Sequence, residues 1–354
     1  MLAGVRSWVH GRIASGARRW LGGRLRLGSR PVPRVVPADR AGIEEASRRL
    51  AEGRLVAFPT ETVYGLGADA TDEAAVRSIF RAKGRPADNP LIVHVPDVEA
   101  ARGATVGWDR RADLLARAFW PGPLTLVLRR GPGLAAEVGG GRDTVAVRVP
   151  DHPVARALLL SFGRPIAAPS ANRSGRISPT TPAHVVAEFA DDEDLLVLDG
   201  GACRVGLEST VLDLSSQRIA ILRPGAVGMR DLLPVVGPVA TTEAAAQGAS
   251  PGTRASHYAP ATPAELVAEG ALGARLDSLD EPCAVIAREG VAVPPAPGRR
   301  ALRLPDDPAG FARELYAAMR SADDGASARI VFAVPADEGD LWDAIRDRLR
   351  RATA

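Results

Sequence analysis

Lysine is all but missing from this chain. Lys83 is the only one in 354 residues, and the other long cationic side chains, out of 45, are arginines. An ammonium is a compact point charge on a flexible stem, whereas a guanidinium is a planar fork. A chain that has drifted this far towards arginine keeps a lysine where a fork does not serve, for instance against a phosphate or carboxylate oxygen. The competing explanation is one surface lysine surviving by chance. Cysteine is nearly as scarce: Cys203 and Cys283 are the two present. They exclude a disulfide framework and a cysteine-based zinc site, and they point to a reducing compartment. Aromatics make up 4% of the chain, which argues against extended base-stacking platforms. The five histidines (His10, His94, His152, His184 and His257) show no metal-ligand spacing. No apolar run approaches the length of a membrane span.

Acid is absent before Asp39, while residues 1–38 carry eight arginines. Without that arm 37 basic groups face 42 acidic ones, so the body of the chain sits near −5 and offers no general polyanion-binding surface. The arm's composition fits a mitochondrial-type transit peptide, a disordered basic segment, or a start placed too far upstream. We exclude it from the expected fold.

The body is long enough for two domains. Helical spacing of Ile43, Ala46 and Leu50 predicts a first helix over 43–51, followed by a strand over 55–58. That strand runs into the loop Pro59-Thr60-Glu61-Thr62-Val63-Tyr64-Gly65-Leu66-Gly67. Asp72 caps a helix ending at Lys83, and further strands are expected over 90–95, 124–128, 144–149 and 165–168. Helices over 108–119, 154–160 and 181–189 and strands over 195–198, 209–214 and 218–222 complete a mixed α/β sheet rather than a parallel one. Residues 239–261, rich in Ala, Thr, Gly and Pro, read as a linker. Beyond it, strands over 283–287 and 329–334 with helices over 311–319 and 341–350 predict one small βαβ-type unit.

Three motif matches fail on mechanism. A Walker site needs Gly-Lys-Ser/Thr, and the sole lysine precedes Gly84. Gly65-Leu66-Gly67-Ala68-Asp69-Ala70 scans as a dinucleotide fingerprint, but Pro59 breaks the approach and the next helix waits for Asp72. Gly248-Ala249-Ser250-Pro251-Gly252 matches a nucleophile elbow, yet Pro251 has no N–H to give an oxyanion hole. What remains is a polar cluster around Lys83-Gly84-Arg85, Asn89 and His94, the hydroxyl-rich loop at 59–67, and Ser170-Ala171-Asn172 at a strand end. Ser170 and Asn172, at i and i+2 on extended backbone, can face one ligand; a local side-chain turn is the simpler alternative.

Together these segments resemble the threonylcarbamoyl-AMP synthase (YrdC-like) family, in its longer form, over residues 40–354. The family's Lys-x-Arg and Ser-x-Asn signature appears as Lys83-Gly84-Arg85 and Ser170-Ala171-Asn172, and its threonine loop as Pro59 to Gly67. Gly206-Leu207-Glu208-Ser209-Thr210-Val211, Ile221-Leu222-Arg223-Pro224-Gly225 and Ser250-Pro251-Gly252-Thr253-Arg254-Ala255-Ser256-His257-Tyr258-Ala259-Pro260 also match. Thr253 and Ala255 depart from the bulkier residues usual there.

The resemblance implies a YrdC-like twisted mixed sheet with helices over 39–238, a linker over the active site at 239–261, and a smaller Rossmann-like α/β domain over 262–354. It implies conversion of L-threonine, bicarbonate and ATP, with Mg²⁺ on the phosphates and no organic cofactor, to threonylcarbamoyl-AMP, pyrophosphate and water. By similarity Thr62, His94, Arg148, Ala168 and Ser209 would bind threonine. Arg85, Asn89, Thr144, Ser170, Ser178, Arg223 and Tyr258 would bind ATP. Lys83, Arg85, Ser170 and Asn172 would form the catalytic signature. No metal ligand is assigned among the side chains. Hand-over to the tRNA threonylcarbamoyl-transfer machinery, contact with RNA, a cytoplasmic location and no membrane attachment are expected with it. A related hydrogenase-maturation carbamoyltransferase would need cysteine-rich zinc fingers. A double-stranded RNA-binding module without ATP turnover is the non-enzymatic alternative.

Overall fold

The computed structural model describes residues 32–241 and 257–354. The chain begins with β1 (Arg34–Pro37), α1 (Arg40–Ala51) and the hairpin of β2 (Val56–Phe58) and β3 (Gly65–Asp69). Then come α2 (Glu73–Lys83), β4 (Ile92–His94), α3 (Val98–Ala104), β5 (Thr105–Val106), α4 (Arg110–Phe119), β6 (Leu124–Arg130) and β7 (Thr144–Arg148). Next are α5 (Pro153–Phe162), β8 (Ile166–Ala167), α6 (Pro182–Glu188), β9 (Leu196–Asp199), β10 (Thr210–Asp213), β11 (Ala220–Arg223), α7 (Met229–Val236) and β12 (Ala240–Thr241). The C-terminal part holds β13 (Ala264–Ala268), α8 (Leu272–Asp277), β14 (Cys283–Arg288), β15 (Arg299–Leu304), α9 (Pro308–Ala322), β16 (Arg329–Val334) and α10 (Asp340–Ala352).

Among the described residues β1 to β12 form one mixed sheet, ordered β1-β9-β2-β3-β8-β4-β7-β6-β10-β11-β12 with β5 added beside β6. Strand alternation divides its faces. Val93, Val145, Val147, Leu126 and Leu212 point to a core that also holds Val76, Ile79 and Phe80 of α2 and Leu115 of α4. On the other face Phe58, Ile166, Leu196 and Leu198 pack against Ile43 and Leu50 of α1 and Leu158 and Leu159 of α5. Farther along that second face lie His94 and Arg148, paired in parallel register, and Val211 paired with Arg223. There the apolar cover shrinks to Ile92, Val127, Ala146, Val211 and Leu222.

The expected fold is corrected in four places. Residues 34–37, part of the arm excluded above from the expected fold, form β1 in parallel register with β9. Gly65–Asp69 is a buried strand rather than a ligand loop, antiparallel to both β2 and β8. Its second glycine is steric: a Cβ on Gly67 would lie 2.8 Å from the Phe58 ring and 2.9 Å from the Ile166 side chain. Helices α3 and α7 were not expected. Finally, the C-terminal part is not a single βαβ unit but a four-stranded parallel sheet, ordered β13-β16-β14-β15, with α8, α9 and α10. Strands β13 and β15 were missed because burial along them is only partial, which weakens their apolar signal. Of the expected linker, residues 242–256 lie outside the described residues, and with them the Gly248–Gly252 pattern and Ser250–Ser256.

The two sheets share a core. Val63, Ile177, Leu207 and Tyr258 sit in one cluster with Phe311, Leu315 and Tyr316 of α9 and Trp342, Ile345 and Leu349 of α10. Burying a side chain of this kind contributes about 1.5–3 kcal/mol. The loop before β10 reaches α9 so closely that only glycine fits: Gly206 has φ +83, and a Cβ there would lie 2.4 Å from the Ala312 carbonyl oxygen.

Candidate active site

Local rules deliver the first cations. The Asp72 side chain caps α2 by accepting from the N–H groups of Ala74 (2.7 Å) and Ala75 (3.2 Å). Gly84, at φ 60, ends the helix in the left-handed conformation. This turn separates Lys83 from Arg85. The Lys83 ammonium donates to the Ser170 carbonyl (2.6 Å) and to that of Asn172. Burial, and then Arg85, push its pKa well below the usual lysine value. Arg85 turns to the cavity, and its guanidinium donates to the carbonyls of Asn89 (3.1 Å) and Pro90 (2.8 Å).

A cavity occupies the less covered part of the second face. Thr62, Arg85, His94, Arg148, Ala168, Ser170, Ser209, Arg223 and Tyr258 line it, all named from the sequence. Lys83, Asn89, Thr144, Asn172 and Ser178 do not. Lys83 and Asn172 serve the backbone instead: Asn172 Nδ2 donates to the carbonyls of Arg173 and Arg176, both at 2.8 Å. The chain bends after Ser170, so the i, i+2 rule does not carry Asn172 to the same side. Thr144 is half-buried at the start of β7. Ser178 is buried and donates to Glu208 at 2.6 Å.

Two polar clusters build the wall. In the first, Arg148 Nη2 donates to Glu61 Oε1 (2.6 Å), Nη1 to Thr62 Oγ1 (2.9 Å) and Nε to the Gly122 carbonyl (3.2 Å). The second Glu61 oxygen accepts from the Asp151 N–H at 3.1 Å. Thr60 donates its hydroxyl proton to the Val63 carbonyl (2.6 Å), so in the 2.8 Å contact between Thr60 and Thr62 it is Thr62 that donates. The Thr62 oxygen is therefore left as an acceptor for a ligand N–H. Arg148 has five N–H donors, and three meet the partners just named, so two are left over in a residue that lines the cavity.

In the second cluster Arg223 donates to the Ser209 carbonyl (2.9 Å) and hydroxyl (3.2 Å), and the Ser209 hydroxyl meets Thr125 at 2.7 Å. Glu208 accepts from Ser178 and from two groups of the C-terminal part: the Tyr316 hydroxyl (2.9 Å) and Arg348 Nε (2.8 Å). Burial works to raise the Glu208 carboxyl; Arg348 and Arg223 overcome it and bring it down to about 2. Tyr258 sits at φ 63, a conformation costing about 1–2 kcal/mol for a residue with a Cβ. Its ring stacks on Tyr316 at 5.6 Å with the Arg348 guanidinium 5.4 Å from its centroid.

Three buried polar atoms of cavity-lining residues have no hydrogen-bond partner among the described residues: His94 Nδ1, His257 Nδ1 and the Tyr258 hydroxyl. Buried polar groups are rarely left so. His94, edge-on to the Phe58 ring at 5.9 Å, is kept neutral by burial and by Arg148, with a pKa of about 3. His257 is also brought to about 3.

The sequence reading missed Glu61, Glu208, His257, Tyr316 and Arg348 as site residues. The first three lie inside motifs it quoted. Among the described residues no group of three or more His, Cys, Asp or Glu is placed to hold a metal ion. Glu208, the carboxylate lining the cavity, is taken up by Ser178, Tyr316 and Arg348, so the side chains do not fit a protein-built Mg²⁺ site. No helix is long and apolar enough to cross a membrane among the described residues.

Comparison with known proteins gives a consistent picture. A family model described as "Telomere recombination" matches residues 48–225, and a model of the threonylcarbamoyl-AMP synthase C-terminal domain matches 226–354. The threonylcarbamoyl-AMP synthase of Pyrococcus abyssi is 40% identical over 89% of this chain and 96% of its own length. That of Bacillus subtilis is 45% identical over 62% of this chain and 65% of its own. A crystal structure of P. abyssi Sua5 complexed with L-threonine superposes with a TM-score of 0.82 at 37% identity, covering 91% of this chain and 97% of the other. Matched along nearly its whole body by both domain models and by a full-length relative, the chain belongs to the threonylcarbamoyl-AMP synthase family.

Proposed function

We propose that this protein condenses L-threonine, bicarbonate and ATP into threonylcarbamoyl-AMP, releasing pyrophosphate and water. The observation that carries the proposal is the cavity wall: the Arg148–Thr62 and Arg223–Ser209 clusters and Arg85 line one space. On this reading the two remaining Arg148 N–H groups take the threonine carboxylate and Thr62 accepts from its ammonium. Ala168, Ser209 and neutral His94 close around the rest of the amino acid. Arg85, Ser170, Arg223 and Tyr258 meet the nucleotide, with Asn89, Thr144 and Ser178 beside them and Lys83 and Asn172 holding the Ser170 strand end. The division into a synthase domain, a linker and a C-terminal domain goes with this assignment.

Chemically, threonine and bicarbonate must give a carbamate, whose oxygen then attacks the α-phosphorus of ATP as the bond to pyrophosphate breaks. The attacking oxygen is already anionic, so no general base is needed at that step. The task is to gather mutually repelling anions and hold them in line, which positioning and fixed positive charge accomplish. Arg85, Arg148 and Arg223 provide that charge. Mg²⁺ would enter on the ATP phosphates rather than on protein ligands. The product would pass to the machinery that threonylcarbamoylates tRNA, in the cytoplasm, with RNA contact at that hand-over. A double-stranded RNA-binding module would have no use for a buried, arginine-lined cavity with neutral histidines.

The test is pyrophosphate release from purified protein supplied with ATP, bicarbonate and threonine. We expect release that requires both threonine and bicarbonate; release indifferent to threonine would overturn the assignment.

A further inference from the structure

We propose that Arg348 and Tyr316, carried by the two C-terminal helices, are positioning residues for the reaction: they clamp Glu208 and through it fix the Ser178, Arg223 and Tyr258 side of the cavity. The proposal rests on the synthase assignment above and adds to it a role for two residues that line no part of the cavity.

The geometry converges on one carboxylate. Glu208 Oε1 takes the Ser178 proton at 2.6 Å, while Oε2 takes both the Tyr316 hydroxyl proton (2.9 Å) and Arg348 Nε–H (2.8 Å). Arg348 is fully buried, and its Nη2 donates to the Pro224 carbonyl at 2.9 Å, next in sequence to Arg223. Its Nη1 meets Asp347 at 2.8 Å, which orients the fork from behind. Tyr258, in its left-handed conformation, lies against both Tyr316 and Arg348, and the His257 N–H donates to the Arg351 carbonyl at the end of α10 (3.0 Å). Because Ser178 gives its only proton to Glu208, its oxygen can act towards a ligand or neighbour only as an acceptor. An ionised Glu208 is the condition for that polarity, and Arg348, together with Arg223, favours it. Among the described residues the charged or titratable groups around Glu208 include Arg348 of α10 with Asp347 behind it, Tyr316 of α9, Arg223 of β11, and His257 and Tyr258.

The experiment is a pH series of pyrophosphate release, with ATP and threonine varied separately, on the full-length protein and on Tyr316→Phe, Arg348→Lys and Arg348→Met, each also titrated with ATP alone. Arg348→Met should lower kcat/KM for ATP on the order of 100-fold, as misplaced groups do. The part of its pH dependence that reports Glu208 should move up, because Glu208 has lost its nearest opposite charge. Arg348→Lys should return that part towards its original place without restoring the Pro224 contact. Tyr316→Phe, which keeps the ring stack, should weaken ATP use roughly tenfold and leave the threonine KM unchanged, one hydrogen bond being worth about a tenfold effect. A purely structural role predicts lower melting temperatures with unaltered ATP KM and pH dependence, and that result would overturn the proposal. If Arg348→Met does not fold, Tyr316→Phe and Arg348→Lys decide by the same criteria. Wild-type protein that binds ATP but makes no pyrophosphate defeats the synthase assignment; the ATP affinities of the variants then decide the positioning one. Wild-type protein that binds no ATP overturns both.

Discussion

Two buried arginine–carboxylate pairs, Glu61–Arg148 and Glu208–Arg348, stand in the same active-site wall and do opposite things. The first is built within the larger sheet, from the loop after β2 and the end of β7, with an N···O distance of 2.6 Å. Its arginine lines the cavity and has donors left for a ligand. The second joins the two sheets across 140 residues of sequence at 2.8 Å, and its arginine lines nothing. Burying an ion pair is poor evidence of added stability, since desolvation offsets most of the attraction. What the pairs have in common is orientation: one presents a fork to the cavity, the other fixes a carboxylate that fixes a hydroxyl. On the proposed function, the contrast gives recognition to the larger sheet and rigidity to the smaller one.

The largest effect should come from breaking the recognition pair. Arg148→Met leaves the fully buried Glu61 carboxylate facing its Asp151 N–H alone, and should cost about 3–5 kcal/mol in urea denaturation. Threonine-dependent pyrophosphate release should fall to background, with ATP binding retained. If Arg148→Met and Arg348→Met damaged threonine and ATP use in the same proportion, the division of labour between the pairs would collapse.

The two pairs also differ in how far sequence could reveal them. Arg148 ends an alternating strand, Val145-Ala146-Val147-Arg148, so a polar residue on the less covered face was visible as such. Glu208 sat inside a quoted motif but looked like one more loop carboxylate, because nothing local shows that Ser178, Tyr316 and Arg348 converge on it. Arg348 was hidden most completely. In Arg346-Asp347-Arg348-Leu349-Arg350-Arg351 it reads as part of a solvated basic helix end, and only its phase with Ile345 and Leu349 places it on the buried face. Core strands with strong alternation, and capped helices such as α2, were legible for the same local reason. Strand β3 was not, since Gly65-Leu66-Gly67 carries turn residues whose purpose is close packing against Phe58. Lys83 was the converse case: its rarity marked it correctly as special, but its partners are two carbonyls.

Lys83 is a third kind of buried basic group, held by backbone oxygens with no carboxylate. A guanidinium is too broad for a slot in which one ammonium meets the carbonyls of both Ser170 and Asn172. Lys83→Arg should therefore displace the Ser170 strand end and reduce kcat on the order of 100-fold. The protein should stay folded at a cost of about 1–3 kcal/mol for imperfectly paired carbonyls. Turnover and urea midpoints of the same preparation check both halves. Near-normal turnover would show that Ser170 holds its place without the lysine.

The smallest effect probes the two sides through their histidines. His94 lies beside Arg148 and His257 near Glu208; burial is the main cause in each case, and both are brought to about 3. In the unfolded chain each protonates near pH 6.5. Below that pH the unfolded state binds more protons than the folded one, so stability present above pH 6.5 is lost as pH falls towards 3. Each histidine should contribute about 1 kcal/mol of that loss between pH 6.5 and about pH 5.5. Urea denaturation across this interval measures the slope, and His94→Gln and His257→Gln should each remove one share of it. If His257→Gln left the slope intact while His94→Gln reduced it, His257 would be charged in the folded protein below pH 6.5, and the Glu208 side would hold a cation the recognition side excludes.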